Sequence, residues 1–402
     1  MTAPAAEYAG RLLAHWGRTA PTGTAPDPVE DWARSGAMAL TGHVDGPPLV
    51  VTGPAVCLRG ALIALQALAP EGELPGLELL GERAAYSGSS RRGGVSCGGG
   101  SRLLCTLDGT VAVTLAREAD VELVPALVEA DVAEPWHAVS TWLSARSSAE
   151  AAERLSLLGL PYGVAGEVTA DLPWVVTEHT ASPPTSERPV VVNLGALWAG
   201  PLAGALLRDL GCRVVKVEDS RRPDGARRGP GGFYELLHKD VEMVQLDLST
   251  HAGREELGSL VRSADVVLEG SRPRALRQLG LAAEEVVAGT GRLTWVSITG
   301  HGRGSDRVGF GDDAAVAGGL LQDGCFVGDA IADPLTGVHA ALAAWAGILH
   351  GGARLVDVAL SRVAATARCL DTADARQARA VDGRWHVDGM SGLVAVADPA
   401  PR

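Results

Sequence analysis

Beyond residue 189 the chain alternates short apolar runs with amphipathic stretches at a steady rhythm. Val190-Val191-Val192-Asn193-Leu194 has the length and the unbroken hydrophobicity of a strand buried on both faces. Gly200-Pro201 opens a helix predicted over 202–210, Gly211 ends it, and Arg213-Val214-Val215-Lys216-Val217-Glu218 supplies the next strand, completing one βαβ unit. The pattern continues with a strand at 244–248, a helix at 252–262, a strand at 265–269, helices at 274–279 and 282–288, and a strand at 293–298. This alternation specifies an α/β fold built on a doubly wound, Rossmann-like parallel sheet. The sequence has no GxGxxG after the first strand and no Walker A motif, so neither a standard dinucleotide site nor a nucleoside triphosphate site is indicated.

Upstream the texture differs. A short helical pattern at 8–16 and a Pro/Thr/Gly-rich link at 19–28 read as peripheral. Residues 31–42 and 53–65 then echo, faintly, 318–320 and 328–344: small-residue helix, turn, apolar strand, Ala/Leu helix. Aligned without gaps from Gly53 and Gly328, Leu58 stands where the later copy has Asp333, so the echo reads as a degenerate repeat or as the likeness of any two Ala-rich helices. The glycines of Arg91-Arg92-Gly93-Gly94-Val95-Ser96-Cys97-Gly98-Gly99-Gly100-Ser101 exclude regular structure there. A turn and strand at 108–115 and helices at 120–129 and 142–159 follow, making a small α+β unit; 180–189, rich in Ser, Thr and Pro, is the best linker. The chain thus divides into an N-terminal helical segment (1–66), a smaller α+β domain (67–180), a linker (181–189), a Rossmann-like domain (190–370) and a C-terminal tail (371–402).

The 402 residues, 46% of them hydrophobic, can supply more than one core. A net charge of −13 excludes a general nucleic-acid or anionic-membrane surface, so an anionic ligand needs a local basic cluster. Six cysteines without a CxxC pair, and no signal peptide or long apolar span, point to the cytoplasm; ten scattered histidines without HExxH give no metal site.

One stretch carries candidate chemistry. Asp333-Pro334 reads as a helix start, carboxylate at the N-cap and proline in the first turn, before the apolar helix that runs past Trp345. An aspartate there serves equally as a plain cap and as a nucleophile facing free N–H groups that stabilise an oxyanion.

At Leu194-Gly195-Ala196-Leu197-Trp198-Ala199-Gly200-Pro201, Asp209-Leu210-Gly211, Val214-Val215-Lys216-Val217-Glu218, Leu246-Asp247-Leu248, Arg272-Pro273, Val296-Ser297-Ile298-Thr299-Gly300 and Ile331-Ala332-Asp333-Pro334-Leu335-Thr336-Gly337, the chain resembles the family III CoA-transferases, the CaiB/BaiF group. The resemblance covers about 190–365, and 98–159 resembles the family's glycine loop and small domain. In the family the doubly wound part comes first; here the small-domain text precedes it, as in a circular permutation or a remnant of a tandem ancestor.

The resemblance implies an acyl-CoA:carboxylate CoA-transferase, with an acyl-CoA donor, a small carboxylate acceptor, coenzyme A as co-substrate and no metal. The carboxylate matching Asp333 attacks the thioester to give a mixed anhydride and then an aspartyl-CoA thioester, while Gly98, Gly99 and Gly100 match the loop that closes over the intermediate. Residues implied for CoA are Trp198, Ala199, Gly200, Arg222, Arg227, Lys239, Arg272 and Gly300, with Arg221 and Arg228 completing a basic loop whose plainer reading is a solvated turn. The family also implies a homodimer, interlocked in the family's usual form. His238-Lys239-Asp240-Val241-Glu242-Met243 replaces a more basic family segment, and Phe310 replaces the racemases' histidine, which disfavours that acid/base pair. His301 and His339 read as surface or packing residues. The alternatives are a non-catalytic CoA-binding partner subunit and an acyl-CoA isomerase, racemase or lyase.

Overall fold

In a computed structural model that describes residues 4–19, 26–180, 188–372 and 375–402, the rhythm beyond residue 189 becomes a seven-stranded sheet. Its order is Trp174–Thr180, Ala353–Ala359, Thr294–Thr299, Val266–Glu269, Val190–Asn193, Arg213–Asp219 and Glu242–Leu246. Neighbours pair in parallel except at one edge, where Trp174–Thr180 runs antiparallel to Ala353–Ala359. That edge strand lies inside the stretch predicted as the small domain, because alternating Trp174, Val176 and Glu178 suit an edge better than a separate core. Residues 181–187 of the expected linker, like 20–25 of the earlier link, lie outside the described residues.

Helices His251–Ser263 and Ala283–Thr290 cover one face of the sheet around Val192, Val267 and Trp295. The other face packs on Ala199–Asp209 and Ala332–His350. The N-terminal segment joins this second core: Tyr8, Leu12 and Leu13 of the helix Pro4–His15 and Leu58 of the helix Gly53–Leu68 are fully buried in it, so the segment is not peripheral.

The small domain has its own core beneath the sheet Ser101–Cys105, Thr110–Thr114, Tyr162–Val164. The single helix predicted at 142–159 is two helices, Pro135–Ser144 and Ser148–Leu158, because Ser147 and Glu150 form a capping box that starts a new one. The expected C-terminal tail is a meander, Arg379–Val381, Arg384–Gly389, Gly392–Ala395, fastened to the N-terminal segment by Arg376–Asp27 at 2.5 Å and by the Ser391 N–H on Glu30 at 2.7 Å. Among the described residues no helix is long and apolar enough to cross a membrane.

Candidate active site

The winding of the sheet reverses between Val190–Asn193 and Val266–Glu269, and the crevice beyond their C-terminal ends is where an open α/β sheet receives ligands. Glycines let the surrounding loops close up: a Cβ on Gly200 or Gly270 would stand 2.7 or 2.9 Å from the Gly195 Cα. The chain then turns through Leu197 at φ 66°, a left-handed conformation costly for leucine. Asp224 holds that turn by accepting the Leu197 N–H at 3.0 Å, and buried Lys216 pairs with Asp224 at 3.2 Å while donating to the Gly195 carbonyl. Helix Ala199–Asp209 therefore begins at the crevice with its free N–H groups facing it.

Helix Ala332–His350 starts after Ile331, so Asp333 lies inside its first turn and is not the N-cap that Asp333-Pro334 predicts. The carboxylate instead crosses to the other helix and accepts the N–H of Ala199, that helix's first residue. Gly311, opening the helix Gly311–Ala317, lies flat on the same carboxylate, where any side chain would collide with Asp333 Oδ2. Burial pushes the Asp333 carboxyl up to about 7; Arg83 opposes this, Asp312 adds to it, the Ala199 N–H opposes it and Asp329 adds again. Such a group is substantially ionised at neutral pH yet poorly solvated, which favours nucleophilic attack.

The turn that presents Asp333 is gripped from several sides. Gly328 and Ala330 are left-handed, at φ 64° and 45°. The Gly328 N–H donates to the Thr41 hydroxyl at 2.9 Å, and the Cys97 thiol meets the Gly328 carbonyl at 3.4 Å. The Ala330 N–H donates to Asp312 at 3.0 Å, and Arg83 forks onto Asp329, with Nε to Oδ2 at 2.8 Å. Asp312 also accepts the Ser101 hydroxyl at 3.2 Å, so the loop Gly98-Gly99-Gly100 lies against this turn. Burial raises the Asp312 carboxyl, with Arg83 opposing.

Trp198 is buried under the Arg83 guanidinium, 5.3 Å from its ring centroid, and edge-on to Phe233 at 5.3 Å. Gly300 ends the strand Thr294–Thr299 and packs on Gly309, which brings Phe310 and Gly311 to the crevice. Arg222 and Arg272 lie at the same sheet edge and share a field with two arginines not predicted, Arg274 and Arg117: burial first, then Arg274, Arg117 and Arg222 hold Arg272 below its ordinary value, with Asp306 opposing. Arg227 is committed to Glu218 at 3.0 Å and to the Tyr234 ring at 4.7 Å; Arg221 and Arg228 are exposed.

Lys239 is not brought to this site. It follows helix Gly231–His238, which returns from the end of one parallel strand to the start of the next, so Lys239 sits at the opposite sheet edge with its carbonyl accepting from Arg208. His339 is buried 2.8 Å from the Tyr8 hydroxyl, with Nδ1 2.7 Å from the Leu335 carbonyl; burial pushes it down to about 4. His301 is also pushed down, to about 3, by burial and by Arg307. Sequence reasoning missed Arg83, Asp312 and Asp329; the available signal for the two aspartates was their place in an otherwise Ala- and Gly-rich apolar stretch. Among the described residues no three His, Cys, Asp or Glu side chains are grouped to hold a metal ion.

The family model of CoA-transferase family III matches residues 189–390. A succinyl-CoA–D-citramalate CoA-transferase of Chloroflexus aurantiacus is 33% identical over 38% of this chain and 42% of its own. A succinate–glutarate CoA-transferase of Agrobacterium fabrum is 32% identical over 42% of this chain and 49% of its own. A crystal structure of a CAIB/BAIF family protein from Brucella suis aligns over 52% of this chain and 66% of its own, with 22% identity and a TM-score of 0.43. The chain spans less than half the length of these two curated relatives.

Proposed function

The chain belongs to CoA-transferase family III, and from that premise we propose that it is an acyl-CoA:carboxylate CoA-transferase of the EC 2.8.3 type with Asp333 as its covalent nucleophile. One observation carries this reading: a half-buried carboxylate, raised to about 7, rests on the first N–H of a helix at the switch-point crevice, beside a triple-glycine loop. An Asp333 oxygen attacks the thioester carbon, the C–S bond breaks, and the thiolate leaves with the electron pair. The Ala199 N–H that held the carboxylate then faces the developing oxyanion, where preorganised donors act most strongly. Thiolate attack on the Asp333 carbonyl gives the aspartyl thioester and frees the donor's acid. The acceptor carboxylate then repeats the sequence in reverse. Arg222, Arg272, Arg274 and Arg117 supply the basic cluster that a phosphate-bearing substrate needs on a chain of net charge −13. Relatives named for succinate, glutarate and citramalate support a small carboxylic acid as the acceptor class.

Incubation with succinyl-CoA followed by hydroxylamine or borohydride is expected to mark the peptide containing Asp333. An unmarked peptide, or full turnover in Asp333→Ala, refutes the proposal. Proton exchange by an aspartate–histidine pair has no support, since Phe310 stacks under Arg117 at 5.6 Å and His339 is engaged with Tyr8 and Leu335.

A further inference from the structure

A guanidinium with one edge in use stands beside Asp333. Arg83 comes from the short helix Glu82–Ser87, 246 residues from its partner Asp329. Its Nε and Nη2 close the fork on a carboxylate that is 0% exposed, whereas the Arg83 side chain keeps 30% of its surface. Among the described residues Nη1 has no hydrogen-bond partner, so the open surface is the outer Nη1/Nη2 edge. The plane has the Trp198 ring as its floor, and Gly98 beside it leaves space: an ideal Cβ there would stand 3.8 Å from Nη2. The acids in its field are Asp329, Asp312 and Asp333.

We propose that the open edge of Arg83 is the receptor for the carboxylate of the acyl acceptor, and for the acid released from the donor, in the part of the cycle when Asp333 is acylated. The inference rests on the transferase reading above. While Asp333 is ionised, Arg83 faces enough negative charge to turn away a further anion. Acylation of Asp333 removes one of those charges, and an incoming carboxylate restores it at the free edge. Its oxygen attacks the acyl carbon of the Asp333 thioester: a C–O bond forms, the C–S bond breaks, the thiolate departs with the pair, and no proton moves. Net charge is the same before and after. A planar fork suits this task because it matches a carboxylate in two parallel hydrogen bonds, which an ammonium does not.

Asp333→Asn imitates the neutral, acylated side chain without any substrate. Succinate is titrated into the wild type, Asp333→Asn and Asp333→Asn/Arg83→Gln above the Asp333 value of about 7, where the wild-type group is ionised. Asp333→Asn is expected to bind succinate about tenfold tighter or more than wild type, and the double variant to lose that gain. Equal binding by Asp333→Asn and the double variant overturns the proposal. Should the glutamine variant not fold, Arg83→Lys, which keeps the charge, gives the second reading. Its acceptor KM should rise about tenfold, a larger change than any in hydroxylamine trapping from succinyl-CoA. An unchanged KM, or a parallel fall of trapping and acceptor use, overturns it. Failure of the wild type to trap removes the transferase reading, whereas the succinate titration judges Arg83 independently.

Discussion

Two Ala-rich helices pack against each other in the centre of the molecule, Gly53–Leu68 and Ala332–His350, and their mouths have gone opposite ways. The later helix has an acid in its first turn, presented by a left-handed turn to the N–H of a different helix. The earlier one has no acid in its first turn, and Leu58, which the ungapped alignment sets against Asp333, lies in its second turn, fully buried. Its mouth is closed from outside: Asp371 accepts the Thr52 N–H at 3.1 Å and the Thr52 hydroxyl at 2.7 Å, and Gly53 lies against the Ala367 carbonyl. Two faintly similar Ala-rich stretches thus build one helix start with an acid at the crevice and one sealed for packing. What separates them is which distant residues reach the helix start.

The widest separation expected is in turnover. Asp333→Asn should lower kcat by about 10³-fold or more, while Asp371→Asn, acting at the sealed mouth, leaves it nearly unchanged; comparable losses in both would erase the distinction. Giving the sealed helix an acid tests the converse. Leu58→Asp places a lone carboxylate in a core and should cost about 4 kcal/mol or more in denaturant unfolding, and an unaltered midpoint would mean that this position is not core. A third test uses the group that joins the open helix to the N-terminal segment. Burial holds His339 down to about 4, against about 6.5 when unfolded, so the unfolded chain binds the proton first and stability falls as pH drops through that window, by about 3 kcal/mol in all. Urea midpoints at pH 7 and 4.5 should differ less in His339→Leu than in the wild type. The smallest effect is expected from Asp371→Ala, which removes the seal on Thr52 and should cost about 1–2 kcal/mol by the same measurement.

The sheet was legible because its strands are short apolar runs and its helices end at Gly or begin at Pro; Val190–Asn193, Arg213–Asp219, Val266–Glu269 and Thr294–Thr299 depart from their predicted spans by a residue or two. Arg222, Arg272 and the 98–100 loop could be named because loops after parallel strands collect ligands, and because glycine permits close approach. Arg83 could not. Its partner is 246 residues away, and nothing in Gly81-Glu82-Arg83-Ala84 distinguishes it from a surface arginine. Lys239 failed for a topological reason, since a basic residue at the end of a returning helix falls on the wrong edge of the sheet. The sequence singles out Asp333 but not its geometry: local text describes a cap for its own helix, and tertiary packing brings the Ala199 N–H to it.

The turn at 328–330 is closed by contacts spanning 231, 246 and 287 residues, to Cys97, Arg83 and Thr41. Loop-closure entropy places such contacts late, after the local βαβ units have formed. During refolding, circular dichroism should therefore regain its native amplitude before the first turnover returns, and a chain arrested between those moments would carry an intact sheet and an idle aspartate.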